Sequence, residues 1–268
     1  SIESRVYAAV LTDPVTGMAF CHFGMSPSKL SMDYYEPKDE YSANFQMDVS
    51  LRSGDKVVLQ YAKEFPVTIP AARIADTENT GLAIEDSFPI VEGSFQLTVL
   101  LRNAVGKEFS VLERPIVVPP PPARPTLGSV LTGYRIAETR VDAHVPFLIA
   151  DRKISVEPES IFAADDKIVF LVQAFGVKDD LWKNGLVRVS VKGIKPAGAS
   201  EKTLNIRLDS QPLRETMTFA AEVTAAELSP DNYDVKLSLL DADGKILAEK
   251  TTGFAVETAF VGQVFGQD

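Results

Sequence analysis

Two stretches of this chain share one rhythm at an offset of 138 residues, and that correspondence limits the possible folds more than any other feature. They are "SFQLTVLLRNAVGKEFSVLERPIVV", Ser94 to Val118, and "NYDVKLSLLDADGKILAEKTTGFAV", Asn232 to Val256. They align over 25 residues without a gap, with identities at Leu101/Leu239, Ala104/Ala242, Gly106/Gly244, Lys107/Lys245 and Val118/Val256. The pattern says more than the identities. Phe95, Leu97, Val99 and Leu101 alternate with other residues, as do Tyr233, Val235, Leu237 and Leu239. Period-two alternation describes a strand with one buried face, so Leu97, Val99, Val235 and Leu237 are expected to face cores. Each strand then meets a turn, "RNAVGK" or "LDADGK", where Gly106 and Gly244 are expected to supply the positive φ of a tight hairpin. Each segment reads as the terminal hairpin of an antiparallel domain.

The approaches to the two hairpins also correspond. "FPIVEGSF" precedes the first and "AELSPDNY" the second, with Ile90 aligned to Leu228. An apolar residue, a turn and an aromatic strand start resemble the corner before the penultimate strand of an immunoglobulin-like sandwich. Tyr233 is expected to place its hydroxyl on nearby backbone, which Phe95 cannot do.

A repeated terminal hairpin implies two domains, and the sequence offers a boundary between them. "IVVPPPPARP", Ile116 to Pro125, contains four consecutive prolines, which favour a short, stiff, extended spacer. The expected organisation is a sandwich over residues 1–118, a linker over 119–125, a second sandwich over 126–258 and a tail over 259–268. Further strands are expected in "VYAAVLT", "MAFCHFGM", "ANFQMDVSLR" and "VVLQYAKEFPVTI", then in "VDAHVPFLI", "KIVFLVQAFGV", "LVRVSVKGI", "TLNIRL" and "TMTFAAEV". Helix is expected only as a short piece in "NTGLAIEDSF" and a single turn in "VTAAELSP". Many short strands at close spacing describe an all-β chain, here two tandem immunoglobulin-like or fibronectin III-like antiparallel β-sandwiches.

Composition narrows the function. The net charge is −10, with 16 acids and 10 bases in residues 1–120 and 21 acids and 17 bases beyond. Neither part is basic, which argues against nucleic acid or an anionic membrane surface as partner. No apolar run is long enough to span a membrane. One cysteine, Cys21, leaves no disulfide within the chain and does not decide the compartment. A start at Ser1 rather than Met suggests a trimmed chain, with either a cleaved leader or a cut-out fragment.

The groups that could carry chemistry are few. His22 and His144 lie on opposite sides of the proline run. His22 follows Cys21, but neighbours on a strand point to opposite faces, so the pair is not expected to share a metal. "LDADGK" resembles the opening of a calcium loop, but position twelve from Asp241 is Thr252 rather than an acid, and a hairpin turn accounts for the sequence. "AADDKI", with Asp165 and Asp166, reads as a solvated turn. "KDDLWKNG" holds the only tryptophan, Trp182, beside Asp179 and Asp180. These three are the candidate surface recognition residues, although a Trp anchored under a loop is the commoner arrangement. No nucleophile-elbow, zinc-protease, dinucleotide or phosphate-loop pattern occurs. No catalytic, cofactor or metal residue is therefore assigned.

"SVEPESIFAADDKIVFLVQAFGV" and "AAELSPDNYDVKLSLLDADGKILAEKTTGFAVE" resemble the β-sandwich regions of bacterial GWxTD-domain proteins, and "SANFQMDVSLRSGDKVVLQYAKEFPV" is similar to their opening β-domain. The likeness is one of layout over most of the chain; the signature itself is absent, Trp182 sitting in "LWKNG". It is shared with bacterial immunoglobulin-like modules. The resemblance implies an exported bacterial protein, periplasmic or secreted, and brings no catalytic residues. The expected function is a non-catalytic structural or protein-interaction module with a protein partner. A carbohydrate-binding module, stacking sugars on Trp182 and loop tyrosines, is the alternative, and an enzyme ranks third.

Overall fold

Period-two alternation becomes strand throughout the chain. A computed structural model describes residues 3–28, 31–139, 145–195 and 200–258. Strand accounts for 62% of it and helix for 9%. The chain divides into two compact units. One runs up to Val10 and over Met18–Pro121; the other takes Leu11–Gly17 and the chain from Pro122.

The strands of the first unit are β1 (Ser4–Thr12, whose last two residues belong to the second unit), β2 (Ala19–Pro27), β3 (Asp33–Tyr35), β4 (Glu40–Ser53), β5 (Lys56–Pro70), β6 (Ile84–Pro89), β7 (Gly93–Asn103) and β8 (Phe109–Val118). One sheet runs β1-β2-β6. The other runs β3-β4-β7-β8, with β5 also paired to β4. Both sheets turn apolar side chains inward, Cys21, Phe23 and Met25 from β2 and Phe88 from β6 meeting Phe45, Met47, Val49, Leu97, Val99 and Leu101. Sheet-on-sheet packing of this kind buries one side of each strand and leaves the other wet.

The second unit holds β9 (Thr126–Leu127), β10 (Leu131–Glu138), β11 (Leu148–Ile149), β12 (Arg152–Val156), β13 (Ile161–Phe162), β14 (Lys167–Phe175), β15 (Leu186–Gly193), β16 (Glu201–Arg207), β17 (Thr216–Thr224), β18 (Asp231–Leu240) and β19 (Ile246–Val256). Its sheets run β11-β12-β10-β14-β17, with β9 on β14, and β13-β19-β18-β15-β16. Within this unit the buried Gln173 amide bridges both backbone groups of Thr12, accepting from its N–H at 2.8 Å and donating to its carbonyl at 2.7 Å.

The two units share a topology. In each, the strands in the first, second and fifth major places form one sheet and those in the third, fourth, sixth and seventh form the other, the arrangement of immunoglobulin-like and fibronectin III-like sandwiches. Thus β4-β7-β8 with β5 corresponds to β15-β18-β19 with β16. The facing apolar pairs correspond as well: Met47–Leu101, Val49–Val99 and Leu51–Leu97 in one, Val187–Leu239, Val189–Leu237 and Val191–Val235 in the other. All twelve side chains are buried, including the four expected from alternation.

The 138-residue offset holds in the hairpin pairing itself. Gly93 pairs with Val118, Phe95 with Ile116 and Leu101 with Ser110; the same offset gives Asp231 with Val256, Tyr233 with Phe254 and Leu239 with Ala248. The turns differ. In the first, Asn103 N–H reaches Glu108 carbonyl at 2.8 Å, closing a loop over 104–107; in the second, Asp241 N–H reaches Lys245 carbonyl at 3.0 Å, closing a loop over 242–244. A bulge between Leu239 and Leu240 absorbs the missing residue, since Leu240 pairs with Ile246 and Leu247 is skipped. The expectation for the glycines therefore holds at one turn only. Gly244 has φ +77, but in the longer first turn the left-handed residue is Lys107, at φ +57, and not Gly106. A four-residue loop displaces the left-handed position by one.

Of three local expectations one holds, the single helical turn in "VTAAELSP", and two need correction. Half of "NTGLAIEDSF" is β6; the short helix α1 (Ile74–Thr80) reaches only its first two residues and ends at Gly81, whose φ is +77. "VTAAELSP" makes one 3-10 turn, Ala225–Glu227. In "VDAHVPFLI", residues 141–144, His144 among them, lie outside the described residues, and of the rest only Leu148–Ile149 is strand. Phe147 interrupts the extended backbone at φ +57, its buried ring under the Lys153 ammonium at 5.5 Å.

Candidate recognition surfaces

The lone tryptophan rises from a short helix. α2 (Asp179–Asn184) links β14 to β15 and begins with Asp179 and Asp180 in its first turn, where carboxylates meet the positive end of the helix dipole. Both are exposed. The helix stops at Gly185, where a Cβ would lie 2.6 Å from Leu181 carbonyl and 2.8 Å from Leu240 carbonyl. Trp182 is half-buried against the core of the second unit. Its indole N–H donates to Gln211 carbonyl at 2.9 Å, and the Gln211 amide donates to Thr218 carbonyl at 2.8 Å. The helix places all three candidate residues together, but the ring is an anchor with its polar atom already bonded.

Two of the acids singled out by the sequence also serve the backbone. Asp166 accepts the Ala163 N–H at 2.8 Å. Asp241 accepts the N–H groups of Asp243 and Lys245, both at 2.9 Å, which closes the second turn. Cys21 and His22 are both buried. Cys21 belongs to the first core, while His22 lies on the opposite side of β2 with Phe20, their ring centroids 6.3 Å apart. Burial pushes the Cys21 thiol up to about 12. Asp86, buried on β6, accepts from the Tyr61 hydroxyl at 3.0 Å and from the Lys63 ammonium at 3.3 Å, both on β5. Burial, with the Asp86 charge, raises the Tyr61 hydroxyl far above its ordinary range. Among the described residues, no three His, Cys, Asp or Glu side chains converge as a metal site.

One surface was not singled out from the sequence. β3 holds three exposed residues, Asp33, Tyr34 and Tyr35, and pairs with the start of β4. Tyr34 is 51% exposed and Tyr35 50%. Tyr34 faces Tyr41 across the pair, ring centroids 5.0 Å apart and tilted by 46°, and its hydroxyl donates to Asp39 at 2.6 Å. That bond raises the Tyr34 hydroxyl above its ordinary range. The signal was the density of tyrosines and acids in "MDYYEPKDEY", Met32 to Tyr41.

No family model matches the chain, and no curated protein matches it. Solved structures similar to it include the FN1–FN3 domains of chicken CNTN1, at 12% identity and a TM-score of 0.26, over 95% of this chain and 66% of that one. The fibronectin(III)-like modules of Clostridium thermocellum CbhA match at 10% identity and 0.23, over 92% and 91%. Trypsin-activated alpha-2-macroglobulin from Escherichia coli matches at 13% and 0.27, over 97% of this chain and 17% of that one. The fold assignment rests on the sheet orders and cores described above.

Proposed function

We propose that the protein is a non-catalytic structural or interaction module that binds a protein partner through its surface. We place it outside the cytoplasm, in the periplasm or secreted, as part of a longer bacterial protein. That location follows from the resemblance to the β-sandwich regions of GWxTD-domain proteins. We assign the two modules to residues 1–118 and 126–258, joined by the proline linker over 119–125. The prolines Pro119 to Pro122 are exposed, as a spacer requires.

One observation carries this reading: several of the polar groups that could have carried chemistry fasten the fold. Asp166 and Asp241 close turns, Asp86 ties β5 to β6, and the Trp182 indole holds its helix to Gln211. A catalytic acid or base needs a free lone pair or proton directed at a substrate. The crevice beside Phe45, Leu101, Asn103 and Glu108 has room of about 10 Å³, enough for one water. The half-buried, hydrogen-bonded Trp182 offers less of a stacking face than a sugar platform needs, which favours a protein partner over carbohydrate. A broad hydrolase and lyase screen of the full-length protein tests the reading. No turnover above background is expected; turnover lost on changing Asp165, Asp166, Asp179 or Asp180 to Asn establishes an enzyme instead.

A further inference from the structure

We propose that the ledge formed by β3 and the start of β4 binds an extended, cationic segment of a partner protein, its Lys or Arg side chains lying over Tyr34 and among the surrounding carboxylates. The proposal rests on the interaction-module reading above and names a surface and a partner chemistry for it.

Three features define the ledge. First, β3 ends its sheet: it pairs with β4 and with no other strand among the described residues. Its outer backbone groups are placed to accept another extended chain, and short edge strands are where such additions occur. Second, the aromatic surface is open. Tyr34 and Tyr35 are half exposed on adjacent positions of the strand, so they stand on opposite sides of it. Third, the charge is mainly negative. Asp33, Glu36, Asp39 and Glu40 fall within eight residues of chain, against the single cation of that stretch, Lys38. Of the four, only Glu40 is partly covered.

The occupant follows from how these features are arranged. The carboxylates do not converge, since no three of them form a metal site. They are spread along the ledge, which suits a row of cations on one chain better than a single ion. Ring faces attract ammonium and guanidinium groups, and nearby carboxylates add Coulomb attraction. The site is also set before any partner arrives. Asp39 sits in the left-handed region at φ +49, its N–H on Glu36 carbonyl at 3.1 Å, and its carboxylate holds the Tyr34 hydroxyl. Fixing the ring in advance lowers the ordering cost of binding. A nucleic acid would be repelled. A sugar would want a flat platform, and the Tyr34 and Tyr41 rings are tilted by 46°.

The test uses two end-blocked hexapeptides, one alternating arginine with valine and one alternating glutamate with valine, titrated into the protein by calorimetry and by amide chemical shift. The arginine peptide is expected to bind, more weakly as salt rises, with shifts confined to β3 and the start of β4. The glutamate peptide is expected not to bind. Tyr34→Ala should weaken binding about three- to tenfold, while Tyr34→Phe keeps most of it. Glu36→Gln, an exposed change that leaves the ring in place, should weaken binding and flatten the salt dependence. Thermal midpoints report whether each variant is folded, and Glu36→Gln carries the test if Tyr34→Ala is not. The proposal is overturned if both peptides bind alike, if shifts map elsewhere, if folded Tyr34→Ala and Glu36→Gln bind as well as the parent, or if an oligosaccharide perturbs the ledge instead. A protein partner that docks on another face would remove this ledge and leave the interaction-module reading standing; measured turnover would remove that reading.

Discussion

Tyr233 lies flat against Phe254, its partner across the β18–β19 pair, with ring centroids 5.0 Å apart and planes 11° apart. Its hydroxyl donates to Ser229 carbonyl at 2.5 Å, four residues back on the corner that feeds β18. This is the tyrosine corner of immunoglobulin-like domains. Tyr233→Phe keeps the ring and removes the donor to the carbonyl of the exposed Ser229. It should lower stability by about 0.5–1.5 kcal/mol, read from urea denaturation. An unchanged midpoint would show that the hydroxyl does not hold the corner.

The alternate positions of both hairpins should respond alike to truncation. Leu237 and Val99 are fully buried at equivalent registers of their sheets. Leu237→Ala should cost about 2–5 kcal/mol, the transfer loss plus the cavity left behind. Denaturation followed by circular dichroism reports it. Lys236→Ala, one position along and exposed, should change little. Equal costs at both positions would contradict the register.

Backbone conformation separates two residues at the first hairpin. Gly93 has φ +150, and a Cβ there would lie 2.9 Å from the Phe95 ring. Gly93→Ala should therefore destabilise by about 1 kcal/mol or more. Lys107→Gly acts in the opposite direction, because a lysine at φ +57 carries steric strain that glycine does not. It should raise the thermal midpoint by a few degrees. A lowered midpoint would mean that the left-handed position is not at Lys107.

The Cys21 thiol provides a pH signature. Its value is raised in the folded chain to about 12, against 9.0 for an exposed thiol. The folded state therefore holds a proton that the unfolded chain releases, so this contribution to stability is fully present below pH 9 and is lost as pH rises toward 12. Unfolding free energy measured across that range should fall more steeply for the parent than for Cys21→Ala. In the native state at neutral pH, a thiol reagent should label Cys21 only at the rate of unfolding.

The β7–β8 and β18–β19 hairpins were legible in the sequence because alternation, turn and corner all survive as local patterns. Their equivalence survives even a change in turn length, since the bulge at Leu239/Leu240 restores the offset. The rest of the repeat was not legible. The third strand of the fold, β4 against β15, is offset by 140 residues where Met47 and Val187 face Leu101 and Leu239, so no single spacing covers the domain. α2 was missed because six residues around Trp182 carry no helical period. Trp182, Asp179 and Asp180 stood out by rarity and charge, yet the indole went to Gln211. Tyr34 and Tyr35 were overlooked because strand alternation assigns aromatic residues to a core by default, and only the end position of β3 leaves them in water.

The most direct test of the central claim is photo-crosslinking in the native host, with benzoylphenylalanine placed in turn at Tyr35, Val111, Asp180 and Ile246, all exposed in the fold. The account predicts a discrete protein adduct from one of these surfaces, Tyr35 first. No protein adduct from any of the four, or adducts to glycan alone, would contradict it.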